Sequence, residues 1–410
     1  MKNLLIIAMI LAAAAIMCTG CTGQSDQINV SGEDEKFRTV TDLRGEEVRV
    51  PADIERVITI SDGLVEGVMT VLGEEDKIVG VGSSCIQRNF NYTYPTTTDE
   101  SYEYKDGMNP VTYLNKDWIM NITRVGESGS AINYETLAGL NPDVVIIRVG
   151  SCTMRSMDDE GVQKSIRTIE SLRIPVVVLK AHPCFDEPDL TTISDEIEII
   201  GSVFGKEEEA SELADYLKSL VDRVYERTKD IPESEKPPVL IFGASPKSRQ
   251  SGGAGNVKGT DTIESYFIEE IVYAKNAYQE EGNSVIVSAE QVLAINPDVI
   301  VLGTSSGYHP PEELYSAPYY QDLQEISAVK NRKVSSFPRE PCNCAKRLEY
   351  PIDIMVIAKA AYPGLFEDID LEDWLIDFYM NVYVVDQATA KELLSAQWME
   401  WCVDKCIACG

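Results

Sequence analysis

Histidine is nearly absent from this chain: two of 410 residues, His182 and His309. A metal site built on several histidines is excluded by counting. Positive charge is also scarce. Lys plus Arg number 36 against 67 Asp plus Glu, for a formal net charge of −31. So acidic a surface repels phosphate backbones and speaks against a nucleic-acid partner. It suits a cationic partner or a salty medium. No Gly-x-Ser-x-Gly elbow and no His-x-x-x-His pair occurs. The run Gly252–Thr260 has the wrong Lys-Thr order and spacing for a phosphate loop. Nothing here assembles an active site, and the chain reads as a non-enzyme. What is present is globular: 44% apolar and 25% charged residues, with length enough for two cores.

One apolar run stands apart. Lys2 precedes Leu4–Met17, which is followed by Cys18-Thr19-Gly20-Cys21. Small residues before a cysteine, after a short apolar stretch, resemble the lipobox of secreted lipoproteins. The resemblance implies a signal peptide over 1–20, cleavage before Cys21 and a diacylglyceryl thioether on its sulfur. Two acyl chains give a stable membrane anchor. Cys18 is a weaker rival, and an uncleaved N-terminal helix is the alternative. No later run approaches the ~18 apolar residues of a membrane helix. Residues 21–36 are polar and read as a lipidated flexible tether.

The remainder alternates short β-branched runs with helical periodicity, the mark of βαβ units and a parallel sheet. One set is Arg56–Ile60, Lys77–Gly82, Asp143–Arg148 and Pro175–Lys180; another is Val239–Phe242, Asp298–Leu302 and Lys333–Ser336. Between them, Ile193, Ile197, Ile200 and Phe204, then Leu213, Leu217, Leu220 and Val224, step at helical spacing. The expected fold is α/β: two Rossmann-like lobes with parallel-rich sheets, 37–186 and 231–383. One long bridging helix within 187–230, or two end to end, joins them. A Cys-rich extension follows over 384–410.

The two sets echo each other. Glu135 to Ile147 and Glu290 to Leu302 both read as a helix, an Asn-Pro-Asp stop and a buried strand. With Thr41–Pro51, Glu55–Ile58 and Tyr350–Phe366, these segments resemble the substrate-binding proteins of ABC importers for ferric siderophores, haem and cobalamin. The likeness runs over roughly residues 38–383. It implies a periplasmic binding protein fold that holds a metal chelate between lobes, with little hinge closure. The partners it implies are a membrane permease and its ATPase, and the location is extracytoplasmic. It also implies that Glu135 and Glu290, one per lobe, salt-bridge arginines of the permease. The plainer reading is two solvated acids at helix starts.

In open α/β sheets ligands sit beyond the carboxyl ends of the strands. The loops there carry Cys85, Arg148, Cys152, His182, Cys184, Lys247, Arg249, Tyr308, His309, Arg339, Cys342 and Cys344. Thiol, imidazole and guanidinium groups suit an iron or cobalt chelate as cargo, with no intrinsic cofactor. The cysteines could equally be disulfides, Cys152 with Cys184 for instance, and the cations could be surface charges. Residues 91–104, rich in Tyr and Thr, read as an insertion that caps the cleft or lies idle. Asn91 and Asn121 are glycosylation sequons. In the tail, Cys402, Cys406 and Cys409 could hold a metal with a fourth ligand, or form one disulfide. On that cluster rests an alternative function, extracytoplasmic metal handling or redox chemistry on the same fold.

Overall fold

The β-branched runs become strands because their stiff side chains fit a pleated, buried surface. The structure, a computed structural model, describes residues 36–98, 100–127, 131–243, 249, 251–303, 310–339 and 345–403. The first lobe contains β1 (Phe37–Thr41), β2 (Glu47–Pro51), β3 (Val57–Ile60), β4 (Ile78–Val81), β5 (Phe90–Pro95), β6 (Ser101–Gly107), β7 (Thr123–Arg124), β8 (Val144–Val149) and β9 (Val176–Lys180). The second contains β10 (Pro238–Gly243), β11 (Gly255–Lys258), β12 (Lys275–Asn276), β13 (Asn283–Val287), β14 (Val299–Leu302) and β15 (Val334–Ser336).

The first sheet has the order β7-β4-β3-β8-β9, every pair parallel. The second has the order β13-β11-β10-β14-β15, with β12 beside β10. Its β10, β12, β14 and β15 are parallel, while β11 and β13 form an antiparallel edge. Strand period decides what packs where. Ile58, Ile60, Val145, Ile147 and Val149 enter one apolar cluster, and Val57, Val144 and Ile146 another. The latter continues through the connecting helices to Val239, Ile241, Val299 and Val301. The two lobes therefore share one apolar core.

The connection between lobes is two helices, not one. Thr191–Phe204 ends at Gly205, which takes the left-handed conformation (φ 67°), and Glu207–Thr228 begins after it. A Cβ on Gly201 would stand 2.3 Å from Ala210 Cβ and 2.9 Å from Lys206 O. Glycine at 201 thus lets the second helix start pressed against the first, and glycine at 205 supplies the turn.

The internal echo is structural. The helices Tyr134–Gly139 and Ala289–Ile295 are capped by Asn133 and Ser288, with Glu135 and Glu290 exposed in their first turns. Both then leave through an asparagine of positive φ, Asn141 (45°) and Asn296 (44°). The strands that follow, β8 and β14, pair in parallel with β3 and β10.

The insertion is a hairpin, β5–β6, and it reaches the other lobe. Thr97 N–H donates to Ser316 O at 2.9 Å. Tyr92 Oη–H donates to Glu313 Oε1 at 2.7 Å. Tyr94 is buried in the second lobe's cluster with Phe242, Leu314 and Tyr320. On its other side the hairpin meets the C-terminal extension, where Trp398 Nε1–H donates to Lys105 O at 3.0 Å.

Candidate functional site

Four parallel strands of the first sheet end side by side, and their exit loops interlock. After β3, Asp62 is buried. Its Oδ1 accepts from Ser83 Oγ, after β4, at 3.0 Å, and its Oδ2 accepts from Cys152 N–H, after β8. Cys85 N–H in turn donates to Ser83 Oγ at 3.1 Å. Burial raises the Asp62 carboxyl above its ordinary range; the Cys152 N–H and the charge of Arg347 work against that rise. The sulfurs of Cys85 and Cys152 and an Asp62 oxygen lie within 4.8 Å of one another. Both cysteines are held in disulfides, so here they offer no thiol to a cargo.

The second lobe brings cations to the same seam. Arg347 Nε–H donates to Asp62 O at 2.6 Å. Lys346 Nζ pairs with Asp353 at 2.7 Å and Glu264 at 3.1 Å, and Lys258 stands 3.7 Å from Glu264. Burial would raise the Glu264 carboxyl, but Lys258 and Lys346 prevail and hold it far below the carboxylate range. His182, after β9, is buried against this seam. Burial, helped by Arg148, Lys346 and Lys258, pushes its pKa down to about 3, against the pull of Glu264. Its imidazole is therefore neutral.

Several expected contacts are committed elsewhere. Arg148 is fully buried, and its fork is taken by Glu196 of the first connecting helix, with two bonds of 2.7 Å. It braces strand to helix and does not face a cleft. Cys184 is free, which removes the Cys152–Cys184 bridge, and burial lifts its thiol to about 11. Arg339 is buried over Phe90 (4.3 Å) and Trp398 (5.7 Å), packed beneath the hairpin. Arg249 is half-buried, 4.0 Å over Tyr319 and 3.8 Å from the buried Glu313. Cys402 is free and half-buried, its thiol raised to about 12 by burial. Cys21, Lys247, Tyr308, His309, Cys342, Cys344, Cys406 and Cys409 lie outside the described residues.

Residues not singled out from sequence supply much of the site. Lys346 and Arg347 follow the Cys344 loop, and Glu264 opens a short helix; only their convergence distinguishes them. A recess of about 380 Å³ lies beyond β4 and β7, lined by Gln87, Met120, Arg124, Glu127 and Asn133 among others. There Arg124 Nε–H donates to Gln87 at 2.7 Å and its Nη1 pairs with Glu127 at 2.7 Å. The two-residue strand β7 that presents Arg124 is too short to leave a sequence pattern.

Two α/β lobes on a common core, with strand ends meeting at a charged seam, define a solute-binding protein of the two-lobed kind. The periplasmic binding protein family model matches residues 60–341, and the chain belongs to that family. A substrate-binding lipoprotein of Bacillus subtilis ABC transport, YvrC, is 23% identical over 87% of this chain and 97% of its own length. The Haemophilus influenzae molybdate-binding protein MolA is 24% identical, covering 84% and 91%. The B. subtilis Fe(3+)-citrate-binding protein YfmC is 24% identical, covering 83% and 90%. Among solved structures, a periplasmic solute-binding protein of Veillonella parvula superposes with a TM-score of 0.66 at 21% identity, over 90% of this chain and 99% of that one. YvrC is named as a substrate-binding lipoprotein of ABC transport and the family is one of binding proteins, so the chain is not an enzyme. Among the described residues no helix is long and apolar enough to cross a membrane.

Proposed function

We propose that this chain is the extracytoplasmic binding component of an ABC importer, tethered through lipidated Cys21, and that it captures an anionic metal complex between its lobes. The observation that carries this reading is the meeting of both lobes at one seam, in a chain of the periplasmic binding protein family. Lys258, Lys346 and Arg347 lie there beside Glu264, Asp353 and Asp62, a balanced charge network that can exchange partners with the polar arms of a ligand. Ferric citrate and molybdate, named in two relatives, are both anionic metal species. Haem and corrinoids carry carboxylate or phosphate arms and fit the same chemistry. Lys247, Arg249, Tyr308 and His309 are proposed further contacts. Glu135 and Glu290, exposed on matched helix starts, are the proposed permease contacts.

Titration of the purified chain with ferric citrate, a ferric siderophore, molybdate, haem and cobalamin tests the reading. Saturable one-to-one binding of a metal-bearing anion that weakens with salt supports it; no affinity for any of them overturns it. Reversal of both Glu135 and Glu290 to Lys should abolish stimulation of the permease's ATPase and leave cargo affinity unchanged. Full coupling by that double variant would refute the docking role.

A further inference from the structure

Cys85, Cys152 and Asp62 converge in a way that capture of an anion does not use. They come from three adjacent strand exits, so the parallel sheet fixes their spacing. Their donor atoms lie within 4.8 Å of one another. A tetrahedral divalent ion with sulfur at about 2.3 Å and oxygen at about 2.1 Å brings its donors to roughly 3.5–4 Å apart, a small inward adjustment. The carboxylate is already aimed, its two oxygens accepting from Ser83 Oγ–H and Cys152 N–H. Such outer partners orient a metal-binding carboxylate. Asp62 and Cys85 are buried and Cys152 is half-buried, so Cys152 is the member nearest solvent. Two thiolates and a carboxylate around a divalent ion leave one net negative charge, and the fields of Arg347 and Arg148 both fall on Asp62.

We propose that Asp62, Cys85 and Cys152 form a redox-gated site for a thiophilic divalent cation, shut while the cysteines are in disulfides and open once they are reduced. The reductant is a dithiol. Each disulfide takes two electrons and two protons from it and becomes two thiols, while the dithiol closes to its own cyclic disulfide. The entering cation then forms two metal–sulfur bonds, the two thiol protons pass to solvent, and an Asp62 oxygen is the third protein donor. The site is independent of the cargo's identity.

The test uses the full mature chain and Cd²⁺ alone, read by sulfur-to-cadmium charge-transfer absorption. The dithiol-reduced protein, freed of excess reductant under anaerobic conditions, should bind one Cd²⁺ that the oxidised protein does not. Cys85→Ser and Cys152→Ser should each remove that equivalent, and Asp62→Asn should weaken it by at least about 10-fold, no less than the loss of an outer partner. Cys184→Ser, and joint replacement of Cys402, Cys406 and Cys409 by Ser, should leave it in place. Equal binding by oxidised protein, or retention of the equivalent after Cys85→Ser or Cys152→Ser, would overturn the proposal. X-ray absorption of the Cd²⁺-loaded, reduced natural sequence needs no variant: two sulfurs with oxygen support the site, and an all-sulfur or all-oxygen ligand set refutes it. Cargo titration of the oxidised protein stands apart from every arm of this test.

Discussion

Two structures join the lobes, and they differ in how much of the join is apolar. The helical connection Thr191–Thr228 is apolar where it matters: Ile193, Ile197, Ile200, Leu213, Leu217 and Val224 all lie in the core the lobes share. The hairpin β5–β6 adds polar bonds to a smaller apolar seat: Tyr94 is buried in the second lobe's cluster, while Tyr92 donates to the buried Glu313 and Thr97 N–H to Ser316 O. A join made by burial cannot open without exposing core, whereas hydrogen bonds can exchange with water at small net cost. The helices bury the longer apolar stretch, and the hairpin is the smaller join, part of it exchangeable hydrogen bonds.

That contrast can be broken at its strongest point first. Glu196→Ala leaves the Arg148 guanidinium buried without its partner, on the helical side. Removing one member of a buried pair costs about 3–5 kcal/mol, so urea unfolding should show a loss of that size. A loss below ~1 kcal/mol would mean the pair does not brace helix to strand. Leu217→Ala, at a fully buried position, should cost about 2–5 kcal/mol through lost contacts and a cavity. Cargo dissociation should stay unchanged in whatever fraction remains folded. Tyr92→Phe removes one donor from a buried carboxylate and should cost about 1.5–3 kcal/mol. Unlike Leu217→Ala, it should speed cargo release, measured by stopped flow; an unchanged release rate would make the hairpin a passive ornament.

The smallest effect concerns the seam itself. His182 titrates at about 3 in the fold against 6.5 as its ordinary value. Between those values the unfolded chain carries a proton that the folded chain does not, so acid favours unfolding. Its contribution is complete above about pH 6.5, fades as pH falls below that, and is gone near pH 3. Glu264, held low by Lys258 and Lys346, loses its own contribution in the same direction at lower pH. His182→Gln should therefore flatten the stability profile between about pH 6.5 and 5 and leave the steeper fall below it. An unaltered profile would place His182 outside the seam's electrostatics.

The sequence was most readable where structure is local. β3, β4, β9, β14 and β15 lie inside the runs read from β-branched residues, β8 runs one residue past its own, and Asn141 and Asn296 mark matched helix exits. The turn at Gly205 was harder, because glycine in a helical pattern is tolerated and no proline punctuates it. The reason for the turn is the approach of Gly201 to Ala210, a packing fact. Long-range pairing was invisible. Arg148 looked like a cleft residue from its strand position, yet Glu196 lies 48 positions later, and Tyr92 meets Glu313 after 221. Helical spacing put Glu196 on the buried side with Ile193, Ile197 and Ile200, but no pattern names its partner. Strand exits put Cys85 and Cys152 among the candidates; that Asp62 stands between them follows from the sheet order β4-β3-β8, which the sequence does not state.

The grip of Trp398 on Lys105 spans 293 positions. A chain is made N-terminus first, so residues 90–107 are made well before the support that Trp398 gives them. The lobes can pair their strands while that face is still bare, and the extension, late in the chain, then covers it. Maturation should therefore end with a late docking step. In refolding followed by pulse proteolysis, cuts within 90–107 should persist after the rest of the molecule has become resistant.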